Sequence, residues 1–155
     1  HHGPGHDQGS LSARVSRTAS AAFAISCALV TIGMPARSSA RILVVDDDVD
    51  LTETICDGLR LRSYVASGSF SALEAIAQLE AGDWDLLLSD ISMPGMSGIE
   101  LLAFVSVRWP GLRVILMTAM LGDLPQPRRG MAARLLRKPF TLDELAVAIE
   151  AALER

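Results

Sequence analysis

From residue 41 onward, short unbroken apolar runs alternate with longer segments in which apolar residues return every three or four positions. Ile42-Leu43-Val44-Val45 is continuous and rich in β-branched side chains, which suits a parallel strand buried on both faces. Leu51, Ile55, Leu59 and Leu61 recur at helical spacing and predict a helix over 50–62. A short second strand is predicted over 64–67. A second helix comes next over 70–81, with Leu73, Ile76, Ala77 and Leu79 as its apolar positions and Gly82-Asp83 as its stop. Residues 85–89 read as a third strand. Ile99, Leu102 and Val105 face one way on a third helix over 98–108, which ends before Pro110-Gly111. Strands are predicted over 112–117 and 134–137. Thr141 caps a last helix, with Glu144 as its capping-box partner and Leu142, Leu145, Ile149 and Leu153 as its buried stripe.

Strand and helix alternate five times, which implies an α/β fold: a doubly wound, five-stranded parallel sheet with helices on both faces. The weak point is 120–133. Pro125 and Pro127 interrupt what should be a helix between strands four and five, so a short turn, a broken helix or a loop is expected there.

Polar residues stand where the predicted strands end: Asp46 and Asp47 after the first, Asp90 after the third, Thr118 after the fourth and Lys138 after the fifth. In a parallel sheet these ends share one edge. Met93-Pro94-Gly95 and Gly98 prevent the chain from simply continuing past Asp90. Three carboxylates brought together repel, by up to ~4 kcal/mol per pair at 4 Å and an effective dielectric near 20. A hard divalent cation offsets such a cluster. Mg²⁺ takes oxygen ligands, keeps some of its water and accepts phosphate oxygens. The pattern reads as Mg²⁺ plus a phosphoryl group. Lys138, the only lysine in the chain, is a flexible point charge able to reach a carboxylate or a phosphoryl oxygen. Asp48 and Asp50 read as the N-cap and a first-turn acid of the first helix. A Lys138–Pro139 cis peptide is compatible with this turn but is not encoded visibly.

Composition narrows the classes further. The chain has 155 residues, half of them hydrophobic, enough for one domain with a real core. A formal net charge of −4 argues against a nucleic-acid backbone as main partner. Cys27 and Cys56 lie far apart with no His or Cys at ligand spacing, so they do not read as a disulfide framework or a zinc site. The three histidines, at positions 1, 2 and 6, lie outside any expected core. Residues 1–40 differ in composition and carry no acid after Asp7. Their apolar run, 19–34, falls short of the ~20 residues that span a bilayer. Arg14, Arg17 and Ser38-Ser39-Ala40 around it resemble a secretory signal, but a disordered leader, or upstream sequence included by a misplaced start, is favoured because the sequence from residue 41 on looks cytoplasmic, and His1-His2 read as a tag remnant.

With these motifs in view, residues 41–155 resemble the receiver domain of two-component response regulators, a CheY-like, flavodoxin-like (βα)5 fold. The resemblance is carried by Ile42-Leu43-Val44-Val45-Asp46-Asp47-Asp48, by Ser89-Asp90-Ile91-Ser92-Met93-Pro94-Gly95-Met96-Ser97-Gly98, by Met117-Thr118-Ala119 and by Lys138-Pro139-Phe140. It implies Asp90 as phosphoacceptor, served by a histidine kinase or histidine phosphotransfer protein. Mg²⁺ would be held by Asp46, Asp47 and Asp90 with the backbone carbonyl of Ser92. Thr118 would bond the phosphoryl group, and Lys138 would pair with Asp90 and then with a phosphoryl oxygen. Such a domain is a phosphoacceptor rather than an enzyme with its own substrate.

Two departures stand out: Leu135 occupies the position where receivers usually carry an aromatic residue, and 120–133 is short and proline-containing. Output through order and disorder of 120–133 is one expectation. With no effector sequence after Arg155, a stand-alone receiver acting on an unknown downstream protein is expected. Ala146, Ala148, Ala151 and Ala152 would allow close approach to a partner or a second copy, although packing on the sheet weighs more heavily.

Two rivals compete. A degenerate receiver would act as a scaffold without taking phosphate. A haloacid-dehalogenase-like phosphatase would use Asp46 as nucleophile and Asp48 as acid/base, with Thr118 and Lys138 as later motifs. The phosphatase lacks its Gly-Asp or paired-Asp element after the lysine, since only Asp143 comes later, within a helix, and it leaves Asp90 without a role.

Overall fold

The architecture comes from a computed structural model, which describes residues 39–119 and 133–154. The leader and 120–132, where the broken helix is expected, lie outside the described residues. The described residues form nine elements in order: β1 (Arg41–Val45), α1 (Val49–Leu61), β2 (Val65–Ser69), α2 (Ala72–Ala81), β3 (Leu86–Asp90), α3 (Gly98–Arg108), β4 (Arg113–Thr118), β5 (Ala133–Arg137) and α4 (Leu142–Leu153).

All five strands pair in parallel, in the order β2-β1-β3-β4-β5. Successive residues of each strand point to opposite faces, and the core divides accordingly. Ile42, Val44, Leu86, Leu88, Ile115 and Met117 pack with Ile55 and Leu59 of α1 and Leu145 and Ile149 of α4. Leu43, Val45, Leu87, Val114 and Leu116 pack on the other face with α2 and α3. Unbroken apolar runs are what a sheet covered on both sides requires.

The helix ends have local causes. The Asp48 side chain accepts the Leu51 N–H at the start of α1, and Ser71 does the same for Glu74 at α2. Ser97 with Glu100, and Thr141 with Glu144, form complete capping boxes on α3 and α4. The stripes of α1 and α2 differ from the periodicity. Leu61 and Leu73 are 86% and 72% exposed, and Ala77 is exposed too. In α2 it is Ala72, Ala75 and Leu79 that bury. Small residues lie close to the sheet where α2 crosses it, and a sequence count weighted toward large apolar side chains misses them. In α4, Ala146 and Ala152 are buried in the domain's own core and Ala148 packs against it.

The chain order reverses across β1 and β3, which lie side by side in mid-sheet. In open sheets of this kind, the crevice at the carboxyl ends of such strands is where ligands bind.

Candidate functional site

The ladder extends one rung past several strands and so levels the polar residues at a single edge. Asp46 N–H donates to the Ser69 carbonyl at 3.1 Å, Ile91 N–H to Met117 at 3.0 Å and Lys138 N–H to Thr118 at 2.8 Å. Asp46 is thereby held just beyond β1, Asp90 at the last position of β3 and Lys138 beside the end of β4. Asp46, Asp90 and Thr118 are 1%, 7% and 7% exposed.

Asp46, Asp47 and Asp90 each offer a carboxylate oxygen, and these oxygens lie within 4.8 Å of one another. The two inner acids are buried and Asp47 is open to solvent. Lys138 Nζ bridges the buried pair, 2.7 Å from Asp46 Oδ2 and 3.2 Å from Asp90 Oδ1. The other oxygen of Asp46, Oδ1, accepts the Asp48 N–H at 3.0 Å. Asp46 is thus fixed at both oxygens, while Asp47 is the acid facing outward.

The electrostatics arise from this packing. Burial pushes the Asp90 carboxyl above the usual aspartate value of 3.8, the Asp46 charge pushes the same way, and Lys138 only partly offsets them. Burial works to lower Lys138, but its hydrogen bond to Asp46 and the charges of Asp90 and Asp46 hold it above 10.5. One cation shared between two carboxylates leaves an excess of negative charge on a half-enclosed oxygen cluster. That donor set fits a hard divalent cation.

The turn after β3 is closed by sterics as much as by bonding. Gly98 N–H donates to the Ile91 carbonyl at 2.9 Å. A Cβ on Gly98 would lie 2.1 Å from the Asp90 carbonyl oxygen, so only glycine lets α3 begin this close to the acid. Gly95 takes a φ of +77°. Met93 anchors the turn in the core shared with α2 and α3, and Ser92 beside it is exposed. At β5 the Lys138–Pro139 peptide is cis, and Phe140 packs against the core beneath α1 and α4. Leu135, opposite Leu116 on β4, is 56% exposed.

The structure therefore brings Asp46, Asp47, Asp90 and Lys138 together and sets Thr118 at the same edge. Asp48 stands apart, its carboxylate occupied as the cap of α1. Two features have no visible signal in the sequence. One is the Lys138–Asp46 bond, shorter than the expected pairing with Asp90. The other is Thr52, buried in α1 with its hydroxyl on the acidic turn. A threonine inside a helix carries no signal of its own.

The family model described as "Response regulator receiver domain" matches residues 42–150. Among curated proteins, the chain is 34% identical over 117 residues to the C4-dicarboxylate transport transcriptional regulatory protein DctD of Rhizobium meliloti, covering 74% of this chain and 25% of that protein. It is 38% identical over 104 residues to the response regulator protein FleR of Pseudomonas aeruginosa, covering 66% and 22%. The chain thus spans about a quarter of the length of these relatives. Among solved structures, the response regulator TrrA of Thermotoga maritima, in complex with Mg²⁺ and BeF, superposes with a TM-score of 0.67 at 29% identity, over 74% of this chain and 99% of that one. The chemotaxis protein CheY4 of Vibrio cholerae gives 0.68 at 23% identity, over 75% and 100%, and shows the same fold.

Proposed function

Because the chain belongs to the response regulator receiver family of two-component signalling, we infer that Asp90 accepts a phosphoryl group in a Mg²⁺-dependent step. The donor is a phosphohistidine on a histidine kinase or phosphotransfer protein. The receiver unit is assigned to 41–155. The observation that carries the reading is the Lys138 ammonium bridging Asp46 and Asp90 beside the open carboxylate of Asp47.

Asp47, Asp46, Asp90 and the Ser92 carbonyl would hold the ion. When bound, Mg²⁺ supplies charge neutralisation at the oxygens of the group being transferred. The remaining chemistry belongs to the chain. An Asp90 carboxylate oxygen forms the new bond to phosphorus as the phosphorus–nitrogen bond to the donor imidazole breaks, leaving an acyl phosphate and a neutralised histidine. Asp46 keeps Lys138 charged and in reach, so the ammonium can meet the negative charge that Asp90 gains. Thr118, at the end of β4, takes a phosphoryl oxygen through its hydroxyl. Its movement toward the group biases the surface that a downstream protein reads. The domain is in this reading a phosphoacceptor.

The phosphatase alternative is weakened by Asp48, whose carboxylate caps α1 and is not free to act as acid and base. The scaffold alternative gives no role to the excess negative charge that Lys138 only partly offsets. Among the described residues no helix is long and apolar enough to cross a membrane, and a cytoplasmic location is part of the same proposal. The chain spans about a quarter of the curated relatives' length, so the stand-alone reading draws no support from them.

Incubation with acetyl phosphate and Mg²⁺ tests it. Acid-labile phosphate mapped to Asp90, absent in Asp90→Asn and absent under EDTA, is the expected result. Phosphate ester turnover abolished by Asp46→Asn but not by Asp90→Asn would install the phosphatase instead.

A further inference from the structure

The acidic turn has a weakness that the charges alone do not repair. Three acids in succession, Asp46 to Asp48, leave β1 within a single turn. Lys138 holds the side chain of Asp46, and the backbone that sets where Asp47 points needs a hold of its own. At that place the Thr52 hydroxyl lies 3.0 Å from the Asp46 carbonyl oxygen and 2.9 Å from that of Asp48. Thr52 is 1% exposed. A hydroxyl carries one proton, so the two carbonyls share it in a three-centre bond. These two carbonyls bracket Asp47 in the chain.

The space for this side chain comes from the neighbouring strand. A Cβ on Gly68 of β2 would lie 2.8 Å from Thr52 Cγ2. The bare backbone at Gly68 lets the threonine methyl seat against β2 while its hydroxyl turns to the acidic turn beyond β1. Gly68 and Thr52 fit as a pair, and the pair ties β2, α1 and the acidic turn together.

We propose that Thr52 is a positioning residue for the ion-binding acids: its hydroxyl clamps the turn carrying Asp46 and Asp47, with Gly68 providing its seat. It touches neither ion nor phosphoryl group. The inference rests on the function proposed above for what the turn binds, but not for the clamp itself.

Thr52→Val keeps the shape and removes the hydroxyl, and Thr52→Ser keeps the hydroxyl and removes the methyl. Calorimetric titration with Mg²⁺ alone is expected to show affinity falling roughly tenfold or more in Thr52→Val, the range for loss of a group that orients a ligand. Affinity near that of the parent is expected in Thr52→Ser. Hydrogen exchange supplies a second readout that needs no ion. The Asp48 amide, bonded to Asp46 Oδ1, is expected to lose protection in Thr52→Val while the amides in the middle of α1 keep theirs. Unchanged Asp48 protection in Thr52→Val, or equal losses in the valine and serine variants, overturns the proposal. Should Thr52→Val fail to fold, Gly68→Ala, which displaces Thr52 from the other side, is expected to give the same two losses, and its failure to do so overturns the proposal equally. If the unmodified chain binds no Mg²⁺, the proposed function falls, and the amide readout still decides the role of Thr52.

Discussion

Lys138 is bonded more closely to Asp46 than to Asp90, at 2.7 Å against 3.2 Å. The shorter bond goes to the acid that stays a carboxylate throughout the proposed reaction. Asp90 changes its charge when modified, while Asp46 does not. Anchoring the ammonium on the constant partner keeps it in place for the variable one. It also makes Lys138 responsible for two buried carboxylates at once. Lys138→Met is therefore expected to destabilise the fold by about 3 kcal/mol or more, the scale for removing one partner of a buried ion pair. A urea titration at neutral pH without Mg²⁺ measures this, and Lys138→Met combined with Asp90→Asn is expected to recover part of the loss.

Asp90 has a pH signature of opposite sign to that of an ordinary surface pair. Its folded value is raised above 3.8 by burial and by Asp46, so the folded state holds its proton more tightly than the unfolded chain. Stability then falls as pH rises from 3.8 through the raised folded value, and the ionised acid remains a net cost above it. Asp90→Asn is expected to melt higher than the parent at pH 7 in EDTA and to lack that acid-side decline. Thermal melts from about pH 3 to 7 are the check, and a lower melting temperature for Asp90→Asn at pH 7 contradicts it.

Lys138 has the converse dependence. Its folded value lies above 10.5, so the stabilisation it provides is complete below 10.5 and disappears as pH rises through the folded value. The parent is expected to lose stability in that alkaline window more steeply than Lys138→Met, as followed by far-ultraviolet circular dichroism.

Mg²⁺ should stabilise the native state by mass action, by about 2.7 kcal/mol at a hundredfold excess over its dissociation constant. Asp47 faces outward in the acid cluster, so Asp47→Asn is expected to lose most of that increment while leaving the Mg²⁺-free stability nearly unchanged. Thermal melts over a Mg²⁺ series separate the two effects.

Gly98→Ala would place a methyl 2.1 Å from the Asp90 carbonyl oxygen. Backbone cannot yield as a flexible side chain does, so α3 or the end of β3 must move. A loss of roughly 1–3 kcal/mol is expected from the forced shift, together with slower labelling of Asp90 by acetyl phosphate. A Gly98→Ala protein labelled at the parent's rate would show that the close approach does not position the acid.

Much of this protein could be read along the chain. The runs Ile42–Val45 and Leu86–Leu88 declared buried strands because neighbouring residues that point to opposite faces are all apolar. Thr141 with Glu144 marked the start of α4, because a capping box is a contact between residues three apart. The convergence of Asp46, Asp90 and Lys138 came from parallel pairing alone, since parallel strands end at a common edge.

What the sequence left undecided needed partners far along the chain. Periodicity could not phase α2, because Leu73 and Ala75 both satisfy a helical repeat and only docking on the sheet chose Ala75. Nor could it rank the two carboxylates around Lys138, a matter of tenths of an ångström set by how β1, β3 and β5 pack. It was silent on Thr52 and Gly68, which lie sixteen positions apart and meet only because β2 pairs beside β1. Local pattern specifies elements and their ends, because those depend on neighbours within a turn or two. Distances across a sheet depend on register and side-chain volume, and these exist only once the chain has closed on itself.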